Sequence, residues 1–210
     1  MSSSHNLIQN IKAALAQGLP GMDAHLEMTP YRKLTKTIPE NRRESAVLVM
    51  LYWKNNELYF PLIQRQTYKG VHSGQVSFPG GKVEESDATT QQTALRETEE
   101  EIGIATRKIE VIGELTEVYI PPSNFLVSVY LSVHESEPEF VKEEKEVHEI
   151  LEIPLSQVLD ESNIKTTAVE VGNGMRLETP YFNLENKIVW GATAAILSEL
   201  KAIIKGLSKV

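Results

Sequence analysis

At 210 residues the chain is long enough for one substantial core and too short to suggest two full domains. Hydrophobic content of 41% and charged content of 24% are those of an ordinary globular protein, and a formal net charge of −8 leaves no basic footprint for general nucleic-acid binding. The lack of cysteine excludes disulfides, thiolate nucleophiles and zinc-thiolate sites; with no membrane-length apolar run and no signal-like N-terminus, the expectation is an unexported cytoplasmic protein without membrane contacts.

Leu7, Ile8, Ile11, Ala14 and Leu15 recur at helical spacing, and Gly18-Leu19-Pro20-Gly21 stops them, which predicts a first amphipathic helix. From Asp23 to Arg43 the periodicity fades while Arg32, Lys33, Lys36, Arg42 and Arg43 collect, the pattern of a lead-in arm with solvated charges. Ala46 to Trp53 is a near-continuous apolar run of strand length, Lys54-Asn55-Asn56 is a turn, and Leu58 to Gln64 returns, giving a buried central hairpin. A loop over Arg65 to Gln75 leads to extended structure at Val76 to Phe78. Within it, Gly70-Val71-His72-Ser73-Gly74 puts His72 where a nucleophile elbow needs serine, which leaves His72 as a loop or substrate-contact residue.

Beyond residue 104, Arg107 to Val118 and Phe125 to His134 read as strands joined by the stiff Tyr119-Ile120-Pro121-Pro122-Ser123-Asn124. Glu135 to Glu149 is an acidic, solvated loop leading to a strand end at Glu149 to Pro154, with a short helix starting at Pro154. Gly172-Asn173-Gly174 and Glu185-Asn186-Lys187 are hairpin turns. A closing helix follows Trp190, with Ile196, Leu200, Ile203, Ile204 and Leu207 on its core face.

Chemistry concentrates between Phe78 and Ile104. A glycine pair follows an aromatic and a proline, a polar turn intervenes, and a helix begins for which Asp87 is the predicted N-cap and Gly103 the left-handed C-terminus. At about 100° per residue Glu97, Glu100 and Glu101 share one face, while Leu95, Thr98 and Ile102 point to a core. Such a run either solvates a surface helix or holds a hard divalent cation; oxygen ligands without Cys or His suit Mg²⁺ or Mn²⁺.

The flanking residues separate these readings. Gly81, Asp87, Arg96, Glu97, Glu100, Glu101, Gly103 and Ile104 resemble the Nudix box, with Asp in place of the general Glu and eight rather than seven residues between it and Arg96. Both departures resemble the coenzyme A pyrophosphatase branch, as do Gly74-Gln75-Val76-Ser77-Phe78-Pro79-Gly80-Gly81, the Tyr-Pro-Ser loop around Ser123, and Trp190-Gly191-Ala192-Thr193-Ala194. Gln66 stands where that branch carries serine, and Gly70 where it carries a second arginine, with Lys69 adjacent.

The resemblance implies an α/β fold, a Nudix-type α/β/α sandwich with a mixed sheet and the box as loop-helix-loop. Residues 45–210 would form the hydrolase domain, with residues 1–44 packed on it. It further implies Mg²⁺- or Mn²⁺-dependent hydrolysis of the diphosphate of coenzyme A or its derivatives to 4′-phosphopantetheine, or its acyl form, and adenosine 3′,5′-bisphosphate. The alternatives are another nucleoside diphosphate derivative such as ADP-ribose, or a non-catalytic sensor. Glu97, Glu100 and Glu101 would be catalytic and metal-binding, oriented by Arg96, with Gly81 and Glu146 as further metal ligands and Glu97 the candidate base. Arg65, Lys69, His72, Phe78 and Ser123 are the implied substrate contacts, and a homodimer is compatible with the resemblance.

Overall fold

The structure, a computed structural model, describes residues 2–29, 37–67, 74–171 and 175–207. In chain order the elements are α1 (Ser2–Gln17), α2 (Gly21–Met28), β1 (Arg43–Lys54), β2 (Glu57–Arg65), β3 (Val76–Ser77), β4 (Gly80–Lys82) and α3 (Thr90–Ile102). There follow β5 (Ile109–Ile120), β6 (Phe125–His134), β7 (Val147–Pro154), α4 (Leu155–Leu159), β8 (Ile164–Val171), β9 (Met175–Leu184), β10 (Lys187–Val189) and α5 (Gly191–Leu207). Lys69, His72 and the Gly172-Asn173-Gly174 turn lie outside the described residues.

β1 organises the mixed sheet, whose order is β3-β2-β1-β6-β5, with β7 on β2 and β4 on β1. It runs parallel to β6 from Arg43 opposite Phe125 to Leu51 opposite Val133. Its other edge is shared: Ser45 to Val47 pair with Lys82 to Gly80, and only Tyr52 to Lys54 pair with β2. The glycine pair is thereby fixed as backbone ladder at one end of the central strand. At the far end Asn55 and Asn56, both with positive φ (51° and 64°), close the predicted hairpin as its tight turn requires.

Strand alternation divides β1 between two cores. Ala46, Leu48, Met50 and Tyr52 meet Ala94, Ile102 and Ile104 at α3. Val49 and Leu51 join Ile11, Met28 and the buried residues of α5 on the opposite face. Helices cover both sides, so the sheet is the middle layer of an α/β/α sandwich, and its central strand reads as almost unbroken apolar sequence. β8, β9 and β10 form a separate three-stranded sheet.

Two expectations need correction. The arm after Asp23 is partly helical: α2 buries Ala24, His25 and Met28. Its anchor is polar and hence invisible to apolar periodicity. Buried Glu199 of α5 accepts from Gly21 N (3.0 Å), His25 Nε2 (3.1 Å), Thr116 N (3.0 Å) and Thr116 Oγ1 (2.7 Å). Burial opposes ionisation of Glu199, but the bonds from His25 and Thr116 outweigh it and hold its pKa below the ordinary carboxylate value. Nor is α5 apolar along one stripe alone. Ala194, Ala195, Leu197, Ser198, Glu199 and Lys201 are buried beside the predicted residues, because other elements cover it on several sides. Among the described residues no helix is long and apolar enough to cross a membrane.

Candidate active site

The site is assembled where β4 meets α3. Gly80, at φ +151°, donates its N–H to Glu101 Oε2 (2.8 Å), and its carbonyl accepts from the Arg65 guanidinium (2.8 Å). A side chain at Gly80 would overlap the Ala46 carbonyl, and one at Gly81 would occupy the space filled by the Glu97 carboxylate. The pair therefore lets backbone and carboxylates pack where no Cβ fits.

Helix α3 starts two residues later than the sequence suggests. Thr89, not Asp87, is the N-cap, its side chain accepting from Gln92 N (3.2 Å), and Gly103 ends the helix at φ +74°. Asp87 is used otherwise. It accepts from Arg96 Nε and Nη2 (3.0 and 2.8 Å), Thr93 Oγ1 (2.9 Å) and Glu84 N (3.0 Å), and the Arg96 hydrogen bonds above all hold its pKa well below the usual range. Arg96, so anchored, donates from Nη1 to Glu97 Oε1 and Glu100 Oε2, each at 3.0 Å. It orients both carboxylates as a fixed fork.

The helix does not present its glutamates equally. Side-chain exposure is 1% for Glu101, 13% for Glu97 and 57% for Glu100. Glu97, Glu101 and Glu146 bring one carboxylate oxygen each within 4.8 Å of one another, and Glu100 lies outside that group, on the solvent side of Arg96. Burial pushes the Glu101 carboxyl up to about 7, against the opposing Arg65 charge and Gly80 N–H, and burial likewise raises Glu97. Three convergent oxygens from acids in a partly dehydrated recess match the ligand chemistry of a hard divalent cation. Two cations flank the group: Arg65 stands 3.7 Å from Glu101 Oε1, and Arg96 bonds Glu97.

Glu146 arrives from a segment 45 positions further along than Glu101, and the acidic stretch is not simply solvated. Val141 N and Glu143 N donate to the last carbonyls of α3, Ile102 O and Glu101 O (3.0 Å each), so the segment straps the end of the helix. Gln66 N donates to Glu146 O (2.9 Å), and Gln66 Nε2 to Glu144 O (2.9 Å).

Other sequence-predicted contacts are placed differently. Phe78 is 1% exposed and packs on Phe60 at 5.9 Å between ring centroids, so it is a core anchor for the loop and not a surface for a ligand. Arg65, its side chain 26% exposed, bonds Gly80 O and Ser77 Oγ and lies beside Glu101. Ser123 is buried in the turn between β5 and β6, where its carbonyl accepts from Arg43 (2.6 Å) at the same end of β1 as the glycine pair. Sequence reasoning missed the work of Gln66 and Thr93, whose partners no local pattern reveals.

Comparison with known proteins gives the family and the fold. Residues 42–170 match the NUDIX domain family. The chain is 31% identical over 171 residues to a Photorhabdus laumondii protein named "Uncharacterized Nudix hydrolase NudL", covering 79% of this chain and 87% of that one. A Shigella flexneri protein of the same name is 33% identical over 167 residues, covering 77% and 83%. Among solved structures, a MutT/nudix family protein from Enterococcus faecalis aligns with a TM-score of 0.52 at 15% identity, over 94% of this chain and 74% of that one. The Nudix hydrolase RenU from M. smegmatis gives 0.52 at 15% identity, over 79% and 87%. These two bear on the fold alone. With the family model matching residues 42–170 and relatives at 31% and 33% identity over more than three quarters of the chain, the chain belongs to the Nudix family of hydrolases.

Proposed function

We propose that this Nudix hydrolase cleaves the diphosphate of coenzyme A or a coenzyme A derivative, releasing 4′-phosphopantetheine, or its acyl form, and adenosine 3′,5′-bisphosphate. The observation that carries the metal-dependent part is the convergence of Glu97, Glu101 and Glu146 oxygens within 4.8 Å. Mg²⁺ or Mn²⁺ held by these three would supply charge neutralisation on the diphosphate oxygens, whose repulsion of nucleophiles makes the linkage inert. The Gly81 position supplies the room this grouping needs.

The chain's own groups then have separate tasks. Glu97 is the candidate acceptor for the proton lost by the attacking water, since burial raises its proton affinity while Arg96 fixes its direction. Water oxygen bonds to one phosphorus, the bridging P–O bond breaks, and the leaving phosphate departs. Glu101 is held by Gly80 N–H and faced by Arg65, which limits its motion during the reaction. Glu100, exposed and paired with Arg96, is the carboxylate available to a further cation that accompanies the substrate.

Support for coenzyme A is the Gly74 to Gly81 motif, the eight-residue spacing from Asp87 to Arg96, and the Trp190-Gly191-Ala192-Thr193-Ala194 segment. In the fold, Thr193 donates from Oγ1 to Val76 O (3.1 Å), so the first and the last of these three are not isolated resemblances: α5 is tied to the strand that carries the motif. The test is incubation with Mg²⁺ and, separately, coenzyme A, ADP-ribose, a diadenosine polyphosphate and a deoxynucleoside triphosphate, with products identified by mass. Preferential release of adenosine 3′,5′-bisphosphate is the expected result. Preference for ADP-ribose would assign another nucleoside diphosphate derivative, and turnover of none would assign a sensor.

A further inference from the structure

We propose that Gln66 is the positioning residue for Glu146, clamping the acidic turn so that its carboxylate completes the cation site. This rests on the reading of Glu97, Glu101 and Glu146 as metal ligands and extends it to a residue that touches neither metal nor substrate.

Of the three carboxylates, Glu146 is the one that needs help. Glu97 and Glu101 ride on one helix and are partly or fully buried, whereas Glu146 is exposed on a turn with Glu143 and Glu144 as neighbours. Like charges repel at this spacing, the three oxygens lying within 4.8 Å of one another. Left to itself the turn would swing outward.

Two attachments oppose that. On the helix side, Val141 N and Glu143 N bond α3 carbonyls, and Glu146 N and Val147 N close back on Glu143 O (3.2 and 2.9 Å). On the other side stands Gln66, the residue after β2. The β2–β7 ladder is regular up to Gln64 opposite Glu149, then shifts register so that Arg65 faces Val147 and His148 is passed over. Such a bulge re-aims the strand beyond it. Gln66 then grips what the bulge delivers: its N–H takes the Glu146 carbonyl at 2.9 Å, and its side-chain amide reaches past to Glu144 O at 2.9 Å and Val147 O at 3.5 Å. The amide therefore bonds carbonyls on both sides of Glu146. Serine, which the resembled branch carries here, is too short to span them. Adjacent positions so divide the work: Arg65 faces Glu101 while Gln66 holds Glu146.

The experiment is a double-mutant cycle read by Mn²⁺ affinity, measured from the loss of the free-ion resonance signal on titration of the full chain without substrate. Gln66→Met keeps length and volume and removes both donors of the amide; Glu146→Gln removes the ligand charge. We expect Gln66→Met to weaken Mn²⁺ binding roughly 3- to 10-fold in the wild-type background, the range of one lost neutral hydrogen bond, the 3.5 Å contact adding little, and to change nothing once Glu146 is Gln. Gln66→Asn, which keeps the amide on a shorter stem, should fall between. Equal losses in both backgrounds, or no loss in either, overturn the clamp while leaving the ligand assignment standing, provided Glu146→Gln alone weakens binding. If neither Glu101→Gln nor Glu146→Gln alters Mn²⁺ affinity, the three-carboxylate reading itself fails and the clamp with it. Thermal melts of each metal-free variant identify any loss of fold.

Discussion

Gly81→Ala separates the site from the scaffold. A Cβ there would stand 2.5 Å from Glu97 Oε2 and closer still to Cδ and Oε1, where ordinary contact begins near 3.4 Å, so the carboxylate must retreat by about 1 Å. What has to move is the far end of one side chain, and the backbone at Gly81 is not in the left-handed region. The cost to folding is therefore small, offset by about 0.4–1 kcal/mol from the reduced freedom of the unfolded chain. The cost to catalysis is large, because a displacement of about 1 Å in a positioned group is worth on the order of 10²-fold in rate, or about 3 kcal/mol of barrier. Gly80→Ala is the contrast: its Cβ would meet backbone, 2.7 Å from Val47 Cα and overlapping Ala46 O, at a φ of +151°. That variant should lose at least about 2 kcal/mol of stability. Urea unfolding and Mg²⁺-dependent hydrolysis are measured on both. If Gly81→Ala retains normal turnover, or unfolds as readily as Gly80→Ala, the assignment of Glu97 to a cradle shaped by Gly81 is wrong.

Glu101→Gln, nearly isosteric and still able to accept from Gly80 N–H, should lose most hydrolysis and Mn²⁺ binding without loss of fold; near-normal turnover with saturating Mg²⁺ would contradict its role. Its carboxyl holds a proton up to about 7 when folded against 4.5 ordinarily, so between those values the folded state binds more protons and metal-free stability falls as pH rises, by up to about 3 kcal/mol from this group. Urea midpoints in chelator from pH 5 to 8 should show that slope in the wild type and a flatter one in Glu101→Gln; coincident slopes would refute it. Glu199 has the opposite sign: its lowered pKa contributes stability above 4.5 that is lost as pH falls through the folded value, and Glu199→Ala, leaving four donors stranded, should cost about 3 kcal/mol or more in urea unfolding. Saturating Mg²⁺ at about 100-fold its Kd should add about 2.7 kcal/mol by linkage, several degrees in Tm by calorimetry, and none of it in Glu101→Gln.

Periodicity made β1, β2 and α5 legible, and the tight turns at Asn55-Asn56 and Glu185-Asn186 showed in their residues. The helix wheel located the glutamates but could not rank them. Steps of three and four place Glu100 and Glu101 on opposite flanks of Glu97, about 100° apart, and only packing decides which flank is covered. Ala94, Thr98 and Glu101 form the buried stripe, so Glu101 goes inward and Glu100 outward. Asp87 was misread for a related reason: a carboxylate before a helix suits a cap, yet Arg96 two turns into the helix competes for it and wins, leaving Thr89 to cap. Polar tertiary anchors such as His25 with Glu199, or Gln66 with the acidic turn, join positions far apart in sequence and leave no periodic trace.

The same distinction explains why the three-carboxylate group is divided between elements. Carboxylates on one helix are spaced by its geometry, and pairs at three or four residues already repel by about 0.2–0.5 kcal/mol each on an exposed surface, more when dehydrated. A third helical acid aimed inward would have to displace Thr98 or Ile102, which hold α3 against β1. Drawing Glu146 from a separate strap avoids that conflict, since its approach is set by hydrogen bonds to Gln66 and to the α3 carbonyls and can be adjusted without disturbing the helix core. The consequence is an unequal site: two acids prepositioned by folding, with Arg65 and Gly80 N–H bearing part of the charge, and one at the solvent edge whose place depends on the clamp.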